Sequence, residues 1–420
     1  MKSSLRNVSL VSALLKWFAH AARDLPWRRT PDPYAIWVSE IMLQQTQVKT
    51  VIAYWARWMR NLPTVQALAE ARPERIHKLW EGLGYYTRVR NMQTAAQQIV
   101  ARHGGEFPRD FEAILELPGI GRYTAGAIAS IAFNEPRPVL DGNVIRVLTR
   151  LFGIADNPKD KAVNARLWEL SEDLVKAASM ISLHERGPST RTTTRLRSET
   201  SAYAKRLRRD KSARQASTIE TDERCSHLNQ SLMELGALVC IPKNPACSAC
   251  PVRTACVAKR TGRTAELPSL GPRKAATARR FAAFVLERKG RYFVRQRPAG
   301  VVNAHLWEFP NVEIAPAADA SELRDAARHA LGSGIKIGEH IYTVKHSITR
   351  YRITTGAYRA VAEGMAKPDM AGEWRTLAQL RLLAFPSAHK RILHHVSNHA
   401  IGAETACPRK TNGTSLRRIC

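Results

Sequence analysis

Cys240, Cys247, Cys250 and Cys256 stand in the run CIPKNPACSACPVRTAC, a C-x6-C-x2-C-x5-C spacing. Four thiolates this close in sequence can surround one cofactor without long-range folding, so this loop points to a soft metal centre. The chain has seven cysteines, so more than half of its sulfur lies here. Structural zinc usually shows two short C-x2-C pairs. Only one pair is tight here. The wider loop suits a cuboidal [4Fe–4S] cluster, which takes four thiolates. Zinc remains an alternative, as does a disulfide pair or chance clustering, the disulfide disfavoured in a long chain without a secretory context.

The 420 residues suggest two or three domains. No run approaches the roughly 18 apolar residues of a membrane span, so no membrane partner is expected. Lys2 and Arg6 followed by VSLVSALL, with Ala19-His20-Ala21 beyond, have the outline of a leader peptide. Val11, Leu14, Leu15 and Phe18 fall at helical spacing, and an amphipathic first helix is the expectation. The formal charge is +29. A polyanion is the simplest partner for that excess, and nucleic acid the commonest one. A basic tail on an unrelated enzyme is the plain alternative.

Residues 8–175 read as consecutive amphipathic helices with short Pro/Gly punctuation. The character changes over 176–225. Between Arg186 and Arg214 there are ten Lys/Arg against Glu199 and Asp210, with almost no large apolar residue. Such a segment buries too little surface to offset its ordering entropy, and a disordered basic insertion is expected. Helical pattern resumes at LNQSLMELGALVC and runs into the cysteine loop, ending near 260. Residues 261–279 read as a linker. From 280 to 398 the pattern is mixed: RFAAFVLERKGRYFVRQRP predicts two strands around Lys289-Gly290, SELRDAARHALG a helix, and YTVKHSITRYRITTGAYRAV strands again. Residues 399–420 read as a tail, in which Cys407 and Cys420 have no assignable partner.

Three segments carry chemistry in their own right. LELPGIGRYTAGAIASIAF (115–133) places Gly119 and Gly121 between an apolar helix end and a small-residue helix. A tight turn there points backbone N–H groups outward at a helix N-terminus, which favours an anion such as phosphate. In PYAIWVSEIMLQQTQVKTVIAYW (33–55), Glu40 lies on an apolar stripe with Ile36, Trp37 and Leu43. A carboxyl held there resists ionisation, the condition for a general acid near neutral pH. Gln44 and Gln45 close by suit base recognition or gap filling in DNA. In VLDGNVIRVLTRLF (139–152), Asp141 precedes a strongly periodic helix, where its ordinary use is a cap. A fourth stretch, LWEGLGYYTRVRNM (79–92), sets two tyrosines among glycines and arginines, a composition suited to wedging into a base stack.

Taken together, SEIMLQQTQV, GLGYYTRVRN, LPGIGRYTAGA, LDGNV and the cysteine spacing resemble the adenine DNA glycosylases of the MutY family, within the helix-hairpin-helix glycosylases. The resemblance covers about 8–175 and 226–400. It implies a mainly α fold: a two-lobed helix-hairpin-helix domain (8–175 plus 226–260) with a [4Fe–4S] loop, and a C-terminal α+β Nudix-like domain that recognises 8-oxoguanine (280–398). It implies excision of adenine mispaired with 8-oxoguanine or guanine, from a base flipped out of double-stranded DNA. Glu40 would protonate the adenine ring and Asp141 would stabilise the oxocarbenium-like sugar. Tyr123 and Asn143 would sit beside them. Trp27, Arg28, Leu43, Val48 and Gln230 would line the adenine pocket, and Gln45 and Tyr85 would wedge at the lesion. Superfamily members that also nick DNA carry a lysine nucleophile where this chain has Tyr123, so a monofunctional enzyme leaving an abasic site is expected. The family's Phe-Ser-His turn is Ile348-Thr349-Arg350 here, and only the Thr349 hydroxyl is kept. The helix SELRDAARHALG has Glu322 and Asp325 alone, too few acids for Nudix hydrolysis. The expectation is a monomer at the nucleoid, in the reducing cytoplasm of a bacterium. A G:T mismatch glycosylase on the same scaffold, or a catalytically silent iron–sulfur DNA-binding protein, is the competing reading.

Overall fold

The computed structural model describes residues 2–181, 223–272, 275–332, 334–348, 350–362 and 368–404. Most of the expected insertion (182–222), Thr349, Cys407 and Cys420 lie outside the described residues. The chain divides into two compact units: residues 1–70 with 91–273, and residues 71–90 with 274–420.

The first unit is helical. α1 (Lys2–Ala21) buries Val11, Leu14, Leu15 and Phe18, as the helical spacing requires. After a short 3-10 turn at Pro26–Arg28, α2 (Pro33–Leu43) starts at Asp32, whose side chain accepts the Tyr34 N–H. Residues Tyr34 to Met42 of α2 are all buried, which makes it a central helix rather than an amphipathic one. α3 (Val48–Asn61) is pinned to it through indoles: Trp55 Nε1 donates to the Ala35 carbonyl (2.9 Å), and Trp58 Nε1 to the Tyr34 hydroxyl (3.0 Å). α4 (Val65–Glu70) follows. α5 (Pro73–Trp80) belongs to the second unit, and α6 (Thr87–His103) leads back into the first.

α7 (Phe111–Leu115) and α8 (Arg122–Phe133) are joined by the Gly119–Gly121 turn. Gly119 has φ +78, and a Cβ there would stand 2.7 Å from Asn91 Cβ, so both backbone and space demand glycine. α8 buries Thr124 to Ser130, small residues that let it lie close against α2. α9 (Gly142–Phe152), α10 (Lys161–Ile181) and α11 (Arg224–Leu238) pack with α1 around Leu14, Val147, Leu148, Leu174, Leu228 and Leu232. Burying each such side chain contributes about 1.5–3 kcal/mol. α10 continues to Ile181, past the expected edge at 175, because Ala177 and Ala178 face that core. α11 likewise begins before 226: Cys225 is buried in the same core, and the His227 ring sits 5.8 Å from Phe18. Both are packing residues. α12 (Val257–Arg260) closes the cysteine loop.

The second unit is a sheet with helices on both faces. β1 (Thr277–Arg288) and β2 (Arg291–Gln296) form the expected hairpin, with Lys289 and Gly290 at φ +50 and +70 in the turn. β3 (Trp307–Glu308), β4 (Asn311–Ile314), β5 (Ile335–Ile348), β6 (Tyr351–Ala362) and β7 (Glu373–Thr376) complete it. The order is β3-β2-β1-β6-β5, with β1 and β6 parallel and β5 and β6 antiparallel; β4 also pairs with β1 and β7 with β2. Alternation along β1 splits the core: Ala282, Phe284 and Leu286 face α13 (Ala320–Leu331), while Ala283 and Val285 face α14 (Leu377–Leu382) and α15 (Ser387–Glu404). β1 starts three residues before 280 and α15 runs past 398. Among the described residues, no helix is long and apolar enough to cross a membrane.

Gly119→Ala should cost about 1–3 kcal/mol in stability from the backbone strain alone. Denaturant melting of the variant checks this. An unchanged midpoint would mean the turn relaxes around the new methyl.

Candidate active site

One cavity of about 540 Å³ opens in the first unit. Its size falls within the roughly 300–1,000 Å³ of small-molecule pockets and admits one extruded base. Glu40, on the last turns of α2, is buried at 6 % exposure. The Tyr123 hydroxyl, from the first turn of α8, donates to Glu40 Oε2 at 2.7 Å. Burial pushes the Glu40 carboxyl up to about 7, and Asp141 adds to the rise; the Tyr123 hydrogen bond and the Arg28 charge oppose it. Burial also lifts the Tyr123 phenol well above its usual range, with both carboxylates adding to the effect.

Asp141 is the N-cap of α9. Its Oδ1 accepts the Val144 N–H (2.7 Å) and its Oδ2 the Asn143 amide (2.9 Å). Burial raises its carboxyl too, against those hydrogen bonds and the Arg146 charge. The helix N-terminus favours its anion. The same group therefore fills the ordinary capping role and faces the pocket.

Trp27, Arg28, Leu43, Gln45, Val48, Asn143 and Gln230 all line this cavity together with Glu40, Tyr123 and Asp141. Gln45 stands in left-handed backbone at φ +56. Gly119 and Gly121 lie immediately before Tyr123, and Gly121 is the N-cap of α8. Tyr85 belongs to the second unit, with φ +48 and 40 % exposure. Thr349 lies outside the described residues.

The four cysteines line a second, small cavity. Among the described residues, no three His, Cys, Asp or Glu sit together closely enough to hold a single metal ion.

Three groups escape a reading of the sequence. Glu234, one helical turn beyond Gln230, is buried at the pocket wall. It accepts from Arg23 Nε (2.7 Å) and Nη2 (2.6 Å) and from Arg28 Nη2 (2.9 Å). Burial works against its charge, but the two arginines hold it down to about 2. The i, i+4 spacing to Gln230 was its only signal. Arg146 donates to Asn143 Oδ1 (2.8 Å), the Gly236 carbonyl (2.8 Å) and the Cys240 carbonyl (2.7 Å). Arg150, at 2 % exposure, donates to the carbonyls of Leu267, Ile241 and Pro242. Nothing in the apolar period of α9 marks either arginine as a brace. Gly236 has to be glycine, since a Cβ there would meet Asn143 Cβ at 2.6 Å.

A helical hairpin with a glycine turn beside a base-sized pocket lined by two carboxyls, one of them buried, defines a class. Residues 38–173 match the family model described as HhH-GPD superfamily base excision DNA repair protein, and residues 282–395 match the NUDIX domain model. The adenine DNA glycosylase of Rattus norvegicus is 33 % identical over 93 % of this chain and 78 % of its own length. That of Homo sapiens is 33 % identical over 92 % of this chain and 74 % of its own. That of Buchnera aphidicola is 30 % identical over 71 % and 72 %. The chain belongs to the adenine DNA glycosylase family.

If Glu40 acts as an acid, only its protonated form is active, so the single-turnover excision rate should fall as pH rises through about 7. A rate flat from pH 6 to about 8.5 would remove the raised carboxyl from the reaction.

Proposed function

We propose that this protein hydrolyses the N-glycosidic bond of adenine mispaired with 8-oxoguanine or guanine in double-stranded DNA, leaving an abasic site. The observation that carries the reading is the pairing of Glu40 and Asp141 in one base-sized cavity, with burial raising the Glu40 carboxyl to about 7. An adenine flipped into the cavity meets Trp27, Leu43 and Val48 as apolar walls and Arg28 and Gln230 as polar ones. Glu40 delivers its proton to a ring nitrogen, so the base departs neutral rather than as an anion. The Tyr123 hydroxyl stabilises the carboxylate that results. Asp141, whose anion is supported by its Val144 and Asn143 hydrogen bonds, faces the positive charge that develops on the sugar. Water then completes the abasic product. A base-departure pathway through a Schiff base is closed, because Tyr123 occupies the place a lysine would need and its hydroxyl is already bound to Glu40.

Cys240, Cys247, Cys250 and Cys256 fit a [4Fe–4S] cluster. All four line one cavity, the wall of which carries Arg150 and Arg253 near the thiolates. When bound, the cluster supplies a cross-link between the ends of the loop. The loop in turn holds Lys243, Arg253, Lys259 and Arg260 as cations for the DNA backbone. The C-terminal sheet domain is the reader of the opposite base, with the altered Ile348-Thr349-Arg350 turn in place of Phe-Ser-His. A monomer acting at a bacterial nucleoid suits this chemistry.

Single-turnover reaction on a duplex with one A:8-oxoguanine pair tests the reading: the adenine strand should break only after heat and alkali. Glu40→Gln should keep DNA binding and lose about 100-fold or more in excision rate. Tight binding with no product from the unaltered protein would instead favour a silent DNA-binding role.

Purified protein should be brown, with an absorbance band at about 400 nm from the cluster. Colourless, active protein containing zinc would overturn the cluster assignment.

A further inference from the structure

Tyr85 sits in the glycosylase half by sequence, yet the structure builds it into the other unit. Residues 71–90 pack with 274–420. Glu81 is the C-cap of α5, and its N–H bonds back to the Lys78 carbonyl. Beyond it, Gly82 (φ +111), Gly84 (φ +71) and Tyr85 (φ +48) make a compact turn outside any helix or strand. The turn is gripped from within. Trp80 Nε1 donates to the Gly84 carbonyl (3.0 Å), and Arg88 Nη2 donates to the carbonyls of Leu83 (3.0 Å) and Gly84 (3.1 Å). The Arg88 guanidinium lies 5.2 Å from the Trp80 ring centre and 5.7 Å from that of Tyr85. Leu83 and Tyr86 are buried, while Tyr85 is 40 % exposed. The turn thus holds one aromatic ring outward beside a cation, the arrangement that stacks on or between bases.

The base of this turn is fixed by one buried carboxylate. Glu81, at 5 % exposure, accepts the Phe385 N–H on Oε1 (3.0 Å). Its Oε2 accepts from Lys390 Nζ (2.7 Å) and Lys78 Nζ (3.0 Å). Lys78 also donates to the Leu383 carbonyl (2.8 Å). At the far end of the segment, Arg90 Nη1 donates to the Ala304 carbonyl (3.2 Å). Every one of these remote partners lies within 282–395, the stretch matching the NUDIX domain model. Nothing in the helical pattern of α5 calls for a carboxylate at its C-terminus, where the helix dipole disfavours an anion. The charge there is matched by Lys78 of its own helix and by Phe385 and Lys390, some 300 residues away in sequence.

We propose that Glu81 is a positioning residue for the reaction: by binding Phe385 and Lys390 it makes the Tyr85 turn one body with the C-terminal domain, so that domain sets where the wedge meets DNA. This rests on the reading of Tyr85 as a wedge given above. In consequence, the group that reads the base opposite adenine and the group that opens the stack move together. Removing Glu81 frees the turn without touching the excision pocket.

The test uses the full chain and a duplex carrying one A:8-oxoguanine pair with 2-aminopurine as its neighbour. Wedge insertion unstacks the 2-aminopurine and raises its fluorescence. Glu81→Ala should lower that rise on binding and slow excision at saturating enzyme about tenfold, as small misplacements do. Glu81→Gln still accepts the Phe385 N–H and should recover part of both. Lys390→Met, at a half-exposed site, is the milder variant should Glu81→Ala fold poorly. Its loss combined with Glu81→Ala should be less than the product of the two, because both break one interaction. Tyr85→Ala separates the two ideas. If Tyr85→Ala leaves fluorescence and rate unchanged, the wedge reading falls and this proposal with it. If Tyr85→Ala abolishes the rise while Glu81→Ala and Lys390→Met lower only the melting temperature, Tyr85 is the wedge and Glu81 is merely structural.

Discussion

One helix, Gly142–Phe152, ties the reaction pocket to the cysteine loop, and the hydrogen bonds on its polar side are what the site depends on. Its N-cap is Asp141, facing the cavity. One turn in, Arg146 spans Asn143, Gly236 and Cys240. A further turn on, Arg150 gathers the carbonyls of Ile241 and Pro242 under the loop. The opposite side of the helix, with Val144, Val147, Leu148 and Leu151, is fully in the core. A rigid apolar anchor therefore sets the position of a carboxylate, and two arginines link that position to the cysteine loop. A guanidinium suits this work because its planar fork satisfies several carbonyls at once.

The two carboxyls in the pocket are kept chemically different by their surroundings. Glu40 has one hydroxyl donor, so burial dominates and pushes its carboxyl up to about 7. Asp141 has a backbone N–H, an amide and a nearby arginine, so its anion is better supported although burial still raises it. Glu234 shows the other extreme in the same cavity: two arginines keep it ionised despite its burial. Within one small volume, the number of donors reaching each carboxylate decides whether it holds a proton or a charge.

The same logic of donors organises the second unit. Glu308 is buried between Arg295 and Arg297 on the sheet, and Glu81 between Lys78 and Lys390 where the 71–90 segment docks. Among the described residues, the buried Glu81, Glu234 and Glu308 each gather two cations, whereas the buried Glu40 is held by the Tyr123 hydroxyl.

The fold class and much of the site were legible in the chain itself, for local reasons. The stripe around Glu40, the Gly119–Gly121 turn, the cysteine spacing and the Lys289-Gly290 hairpin are contiguous patterns, and contiguous patterns determine local geometry. The cap role of Asp141 could be read from its place before α9. What could not be read were contacts between distant positions. Glu234 with Arg23 and Arg28, Arg146 with Cys240, and the continuation of α10 to Ile181 each depend on which surfaces meet after folding. The clearest case is the segment 71–90, which by sequence sits among the glycosylase helices and in the structure packs with the sheet domain. Helical period specifies that α5 forms, but a helix of this length takes its place from the charges and surfaces it docks against. Glu81 docks on residues that lie some 300 positions downstream, and no local pattern records that distance.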